Sequence, residues 1–208
     1  MLHDLIEKLS NHPGFFLFCR SLLEANFVAI RRTIRASLPL APDHKLLDLA
    51  CGPGAFARMF PAGTYFGIDI NDQYIRYARA KHPGTFETMD ARQLRFANAS
   101  FDAALVFGLL HHLSDADAAQ VIAELHRVMK PGGCVLIMED IPTRSRLNVV
   151  GRLIHGIENG HHIRPPEQYR ALLARHFTFT DEKTFLSGVC DYYAATLAPL
   201  PATRPALV

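Results

Sequence analysis

Paired cysteines are missing from this sequence. Its four, Cys19, Cys51, Cys134 and Cys190, stand far apart with no CxxC or similar spacing. Neither a disulfide framework nor a zinc knuckle is indicated, and a reduced, cytoplasmic protein is expected. Net charge is scarce too. A formal +2 is too small for a protein that coats nucleic acid or an anionic membrane by bulk electrostatics, although a local patch can still matter. The start, Met1 to Lys8, carries Asp4 and Glu7 and lacks the basic, apolar and small-residue order of an export signal. No long uncharged run is present either. The most apolar stretch near the N-terminus, Phe15 to Ile30, is interrupted by Arg20 and Glu24, so it reads as an amphipathic helix without stable membrane insertion. Repeats of roughly 20–50 residues and long biased tracts are also absent, which sets aside solenoids, propellers and disordered chains.

What is present is alternation. In 208 residues that are 49% hydrophobic, one domain with one sizeable core is expected. Apolar runs of strand length occur at Lys45 to Ala50, Tyr65 to Ile70, Phe101 to Phe107 and Cys134 to Glu139, with a weaker one at Thr85 to Met89. Helical stretches separate most of them, so the fold class is α/β with a mostly parallel, Rossmann-like sheet and helices on both faces. Ser114 before Asp115, Ala116 and Asp117 is a helix N-cap signal, and Lys130-Pro131-Gly132-Gly133 is a stop signal.

After Glu139 the pattern changes. Pro142 to Pro166 is rich in Arg, His and Gly, and Pro166 to His176 reads helical. Phe177 to Leu186 and Cys190 to Leu197 are separated only by Ser187-Gly188-Val189, short enough for an antiparallel hairpin and too short for a crossover. The proline-rich tail from Pro199 is expected to be loose. Residues 1–40 read as a helical segment that covers a pocket or packs on the core, and 142–166 as a basic insertion.

Leu46 to Phe56, LLDLACGPGAF, is an apolar strand running into a glycine turn and then an expected helix. Gly52 and Gly54 let the backbone turn sharply and let a ligand approach where a Cβ would obstruct it. Gly52-x-Gly54-x-x-Ala57 also fits the dinucleotide fingerprint, so the glycines alone leave an NAD-dependent oxidoreductase open. Asp48, inside the strand end, needs a cationic or donor partner if ionised and buried; a methionine ammonium group would supply one. Asp69, ending Gly67-Ile68-Asp69-Ile70, suits the hydroxyls of a ribose, and Asp90-Ala91 follows the third strand where an adenine amino group would find an acceptor.

On these residues, from about Lys45 to Met138 and more weakly to Leu197, the sequence resembles the class I S-adenosylmethionine-dependent methyltransferases. The resemblance implies that Asp48, Ala50, Gly52 and Gly54 form the methionine-side loop, that Asp69 and Ile70 meet the ribose, and that Asp90 and Ala91 border adenine. Phe107 and Gly108 would lie beneath the transferable methyl group. Ala50 stands where that family more often has glycine. His126 to Gly133 is also typical of it. The family's seven-stranded sheet ends in an antiparallel hairpin, as read above. The implied cofactor is S-adenosyl-L-methionine, with S-adenosyl-L-homocysteine as product.

A sulfonium methyl group is already activated, so the protein mainly aligns a nucleophile behind it. Where the acceptor starts protonated, a base is needed. His111 and His112 follow the strand that passes under the methyl group, and the segment resembles the His-Asp-Trp-Ser-Asp stretch of phenolic O-methyltransferases. There His111 matches the base, with a substrate-orienting or a structural role as its alternatives; His112 is read as orienting substrate. The pair His161-His162 lacks metal-ligand spacing, so no metal is expected. Arg144, Arg146, Arg152 and Arg164 against Glu158 give 4 − 1 = +3 over 142–166, which suggests an acceptor bearing a carboxylate, a phosphate or an acyl carrier. Arg152, His161, His162, Arg164 and Tyr192 are the expected acceptor contacts. Phe107-Gly108-Leu109-Leu110 is unlike the Asn-Pro-Pro-Tyr segment of methyltransferases acting on nucleobase or glutamine amides, so a small metabolite is expected rather than nucleic acid. Oxygen, nitrogen and carbon acceptors stay open, as do the oligomeric state and a non-catalytic cofactor-binding role.

Overall fold

Strands apolar at nearly every position must be covered on both faces, and the chain does this with helices drawn from both halves. The computed structural model describes residues 12–38, 40–145, 147–152 and 162–201. In chain order its elements are α1 (Pro13–Leu23), α2 (Val28–Ser37), β1 (Leu46–Leu49), β2 (Tyr65–Asp69), α3 (Asp72–Lys81), β3 (Thr85–Thr88) and β4 (Phe101–Phe107). They continue with α4 (Asp115–Val128), β5 (Met129–Asp140), α5 (Pro166–Leu173), β6 (Phe177–Ser187) and β7 (Cys190–Pro199). The strands form one seven-stranded sheet in the order β3-β2-β1-β4-β5-β7-β6. β3, β2, β1, β4 and β5 are parallel, and β7 runs antiparallel to both β5 and β6, which is the expected hairpin.

One face of the sheet buries Val121, Ile122 and Leu125 of α4 with Tyr169 and Leu173 of α5. The other buries Ile30 and Ile34 of α2 with Ile75 and Ala78 of α3. β1 lies between β2 and β4, so the chain leaves it toward one edge and later returns to its other side. That reversal opens a crevice at the carboxyl ends of β1 and β4, where open α/β sheets bind ligands.

Three expectations need correction. No α-helix follows the glycine turn: the chain makes short 3₁₀ turns at Ala57–Met59 and Ala62–Thr64. Phe60 is extended, at φ −125° and ψ 156°, because it precedes Pro61, whose ring disfavours helical geometry in the residue before it. The strand expected from Cys134 starts at Met129, which pairs with Phe101 before the register shifts. Pro199 still belongs to β7, and Leu200 is tied by its N–H to His176 and by its carbonyl to His126; 202–208 lie outside the described residues.

Between α1 and α2 the chain bends by 87°. Ala25, Asn26 and Phe27 all have positive φ, at 47°, 57° and 57°, and burial of Phe27 anchors the bend. Among the described residues no single helix is long and apolar enough to cross a membrane.

Ala50, directly after β1, is left-handed at φ 64°, the conformation that explains a glycine at this place. Left-handed backbone costs a residue with a Cβ about 1–2 kcal/mol, and glycine's greater freedom in the unfolded chain costs about 0.4–1 kcal/mol. Ala50→Gly is therefore expected to stabilise the protein by about 0.5–1 kcal/mol. Urea unfolding would show it as a higher midpoint at unchanged slope; a lower midpoint would mean that the methyl group has a packing role outweighing the strain.

Candidate functional site

The glycine turn is held from the side by β2. Asp69 Oδ2 accepts the Gly52 N–H at 2.9 Å and its Oδ1 accepts the Asn71 N–H at 2.8 Å. Burial pushes the Asp69 carboxyl up, opposed by the bonds from Asn71 and Gly52. The two glycines serve different ends. A Cβ at Gly52 would meet nothing within 4 Å, whereas at Gly54 it would lie 3.0 Å from His82 and 3.3 Å from Phe86. Gly52 thus leaves space for a ligand, while the space at Gly54 is taken by α3 and β3, a correction to the shared role expected for both.

Asp48 is buried within β1 and finds its donor inside the protein: the Tyr65 hydroxyl donates to its Oδ2 at 2.5 Å. Burial raises its carboxyl to about 7, against the lowering effect of that bond, with the Asp69 charge adding to the rise. Tyr65 escaped the sequence reading, although the signal was there. Asp48 pairs with Gly67, and Tyr65, two residues earlier in the same strand, shares that face.

Asp90, at the expected adenine edge beside Ala91, accepts from the Arg92 backbone at 2.8 Å and from its guanidinium at 2.7 Å. These bonds hold its carboxyl below its ordinary value, and Arg92 also reaches Asp117 at 2.9 Å. In this arrangement the Asp90 side chain faces Arg92. Ile70, next to Asp69, is exposed.

At the carboxyl end of β4, Phe107 and Gly108 (φ 67°) lead into a 3₁₀ turn at Leu110–His112. The neighbouring strand supplies Glu139. Its Oε1 accepts the N–H groups of Leu109 and Leu110 at 2.9 and 2.8 Å, and its Oε2 accepts that of His111 at 3.3 Å. The same Oε2 lies 2.9 Å from His111 Nδ1. Burial alone would lower the His111 pKa, but the hydrogen bond to Glu139 and the charges of Glu139 and Asp140 outweigh it and raise it above 6.5. His111 Nε2 faces Asp140 Oδ2 at 3.8 Å, and that buried oxygen has no hydrogen-bond partner among the described residues. The ring's Cε1 borders Gly108, 3.5 Å from where a Cβ there would sit.

Arg164, expected to meet the acceptor, instead braces this turn. It is buried, and its guanidinium donates to the carbonyls of Leu110 and Leu113, each at 2.7 Å, and to Asp115 at 2.7 Å. The His162 N–H adds a bond to the His111 carbonyl at 3.0 Å. Arg144 is likewise paired, with Asp191 at 3.3 Å. The +3 counted along 142–166 is therefore partly neutralised by carboxylates outside the segment. Arg152 is exposed at a cavity of about 230 Å³ lined by Pro142, Thr143 and Ile163. Arg146, Glu158 and His161 lie outside the described residues. His112 is exposed, its ring centroid 4.0 Å from that of His111.

α1 closes over the same edge. Arg20 donates to the Tyr192 hydroxyl at 3.1 Å, that hydroxyl donates to Glu24 at 2.7 Å, and Arg20 and Glu24 form an ion pair. The Arg20 guanidinium stands 5.5 Å over the Phe107 ring, and Phe16 meets Tyr74 at 5.3 Å. Tyr192 packs against Phe107, while Tyr193 stacks on Tyr169 across the sheet. Of the two tyrosines, Tyr192 therefore adjoins the site. Glu139, Asp140, Arg20 and Glu24 were missed from sequence.

Residues 46–133 match the methyltransferase domain family. The ubiquinone/menaquinone biosynthesis C-methyltransferase of Cupriavidus necator is 34% identical over 114 residues, covering 50% of this chain and 46% of that protein. The demethylmenaquinone methyltransferase of Streptomyces griseus is 33% identical over 112 residues, covering 52% and 48%. The chain thus spans about half the length of these curated relatives. In fold it is similar to human N-acetylserotonin methyltransferase bound to S-adenosylmethionine, with a TM-score of 0.67 at 20% identity over 94% of this chain and 59% of that one. Geranyl diphosphate C-methyltransferase from Streptomyces coelicolor gives 0.67 at 13% identity over 83% and 80%. Residues 46–133 thus match a methyltransferase domain, and the strand order, the glycine turn and the acids of β1 and β2 give the chain the fold of these solved methyltransferases.

Proposed function

We propose that this protein transfers the methyl group of S-adenosylmethionine to a small acceptor whose nucleophile begins protonated, of the phenol or hydroquinone class. The observation that carries this reading is the buried His111–Glu139 pair beside Gly108. The cofactor's needs match the residues present: open space above Gly52, Asp48 and Asp69 at the methionine and ribose ends, and the Phe107 ring as an apolar wall. When bound, S-adenosylmethionine supplies the activated methyl group. The chain's own work is to orient the acceptor and take its proton.

Glu139 fixes the His111 tautomer. An imidazole that donates its Nδ1–H to Glu139 keeps Nε2, which faces Asp140 Oδ2 at 3.8 Å, as the nitrogen that takes the acceptor's proton. For a phenol of pKa about 10, ionisation at pH 7 costs roughly 4 kcal/mol, most of which a placed base offsets. The named activity of the Cupriavidus and Streptomyces relatives, on quinone-type rings, supports an aromatic acceptor; ionising a ring hydroxyl also makes the adjacent ring carbon nucleophilic. An anionic or carrier-bound acceptor rests, among the described arginines of 142–166, on Arg152 alone.

Calorimetric titration is the test of the cofactor. S-adenosylmethionine and S-adenosylhomocysteine are expected to bind, NAD is not, and Asp69→Ala should weaken binding by about tenfold or more, since it removes an acceptor for two backbone N–H groups and for the ribose. Binding of NAD alone would overturn the assignment.

The pH dependence tests the base. His111 acts only when unprotonated, so kcat/KM is expected to rise with pH through a midpoint above about 6.5. Glu139→Gln removes the charge that raises this pKa, so the midpoint should move down while kcat falls by about 10²-fold. A profile identical in wild type and Glu139→Gln would remove His111 from the chemistry.

A further inference from the structure

Helix α1 is inside out. Arg20 and Glu24 face the protein and meet Tyr192, whereas Phe15, Phe18 and Leu22 form a stripe at i, i+3 and i+7 that faces solvent, with Phe18 at 66% and Leu22 at 74% exposure. α1 contains no buried residue, so the stripe stands proud of the body. It does not stand alone. Val28, Leu147, Val149, Val150 and Leu186 are also exposed, Leu147 at 92%. Of the nine exposed large hydrophobics among the described residues, only Ile70 lies elsewhere.

Hydrogen bonds join these segments into one surface. The Val189 N–H at the hairpin tip donates to the Leu23 carbonyl at 3.0 Å, Ser187 Oγ donates to the Glu24 carbonyl at 3.1 Å, and Asn148 Nδ2 donates to the Val189 carbonyl at 2.7 Å. The charge exposed on the two helical segments beside the stripe is cationic. Among the described residues, 12–37 and 141–152 hold six arginines (Arg20, Arg31, Arg32, Arg35, Arg144, Arg152) and one acid, Glu24; Arg20 pairs with the buried Glu24, Arg31 donates to the Ala55 carbonyl and Arg144 pairs with Asp191, so the exposed cations of the rim are Arg32, Arg35 and Arg152. Arg32 and Arg35 are exposed and share the face of α2 that carries Val28.

We infer that this surface docks on an anionic lipid bilayer, with Phe15, Phe18 and Leu22 entering the headgroup boundary and the arginines meeting lipid phosphates. A contiguous apolar patch of this kind marks a partner surface, and the charge selects among partners. In a two-fold contact between copies of this chain each basic rim would face itself, which repulsion opposes. An anionic bilayer satisfies both features, because a helix with a Phe/Leu face and cationic flanks lies in the interfacial plane without spanning it.

The test is co-sedimentation of the full chain with extruded vesicles of phosphatidylglycerol and phosphatidylcholine, against phosphatidylcholine alone. The wild type is expected to partition onto the anionic vesicles at least about tenfold more strongly than onto neutral ones, and high salt should reduce the difference. Phe15→Ser/Phe18→Ser/Leu22→Ser and, separately, Arg32→Glu/Arg35→Glu should each lower partitioning by at least about tenfold. Thermal midpoint and S-adenosylhomocysteine affinity serve as fold controls; if the triple variant fails to fold, Leu22→Ser and the arginine variant carry the test. Absence of wild-type binding, or equal binding by folded variants, would overturn the inference. So would a concentration-dependent dimer in analytical ultracentrifugation that the apolar variant dissolves while no vesicle binding is seen.

Discussion

The buried carboxylate of Glu139 is the constraint on which the acceptor end of this site depends. Leaving an ionised carboxylate inside a protein without partners costs several kcal/mol, and this one is compensated by three successive backbone N–H groups and the His111 ring. Those four donors come from one short turn, so its geometry follows from the need to surround the charge. The turn's carbonyls then point away, toward Arg164, which collects those of Leu110 and Leu113 and fixes its remaining donors on Asp115. Glu139 from β5 and Arg164 from the later chain thus hold opposite sides of the turn from Leu109 to Leu113, meeting at Leu110. A histidine so clamped has little freedom left to lose, so in the proposed function the scaffold would supply an already aligned base.

Much of the sheet was legible because its signals are local. Apolar runs announced buried parallel strands, and three residues between the last two runs left room only for a hairpin. The missing helix after Gly54 was legible too, in Pro61, but the glycine motif was given more weight than the residue before the proline. Within the site, Glu139 at the end of an apolar strand needs a donor when buried just as Asp48 does, and its place as a strand terminus concealed that need. Arg164 and Arg144 show a different limit. Sequence gives a charge and withholds its partner, and both arginines meet acids from distant segments. Helix periodicity has the same limit at α1, where it sorts Phe15, Phe18 and Leu22 from Phe16, Arg20 and Glu24 but does not say which set turns inward.

Backbone strain is concentrated where the site is built. Ala50 begins the glycine turn, and the left-handed run Ala25 to Phe27 lets α1 fold back over the sheet edge. Each such residue costs free energy that surrounding packing must offset. Phe27 packs edge-on against Phe56 and near Phe107, and Gly188 approaches Leu23 so closely that any Cβ would collide with its carbonyl. The position of α1 is therefore over-determined from two sides, by an aromatic cluster below and by the hairpin tip alongside. Its placement over Phe107 and Tyr192 is a property of the fold, independent of the polar latch alone.

The two ends of the site also answer to pH in a common direction. Asp48, buried against Tyr65, has its carboxyl raised to about 7 by burial, so under the proposed function it becomes an anion able to hold the cofactor's ammonium group only as pH rises through neutrality. His111, the base of the proposed function, has its pKa raised by Glu139 and Asp140 against the effect of burial, so it too gains its unprotonated form on the alkaline side. One group gains negative charge while the other loses positive charge. Both changes make the crevice more negative, and an incoming sulfonium cofactor carries the compensating positive charge. Binding the cofactor should then draw Asp48 toward its ionised form and, by the same electrostatics, lower the tendency of His111 to hold its proton. Under the proposed function, the cation that brings the methyl group would thereby help to prepare both the acid assigned to anchor it and the base assigned to its acceptor.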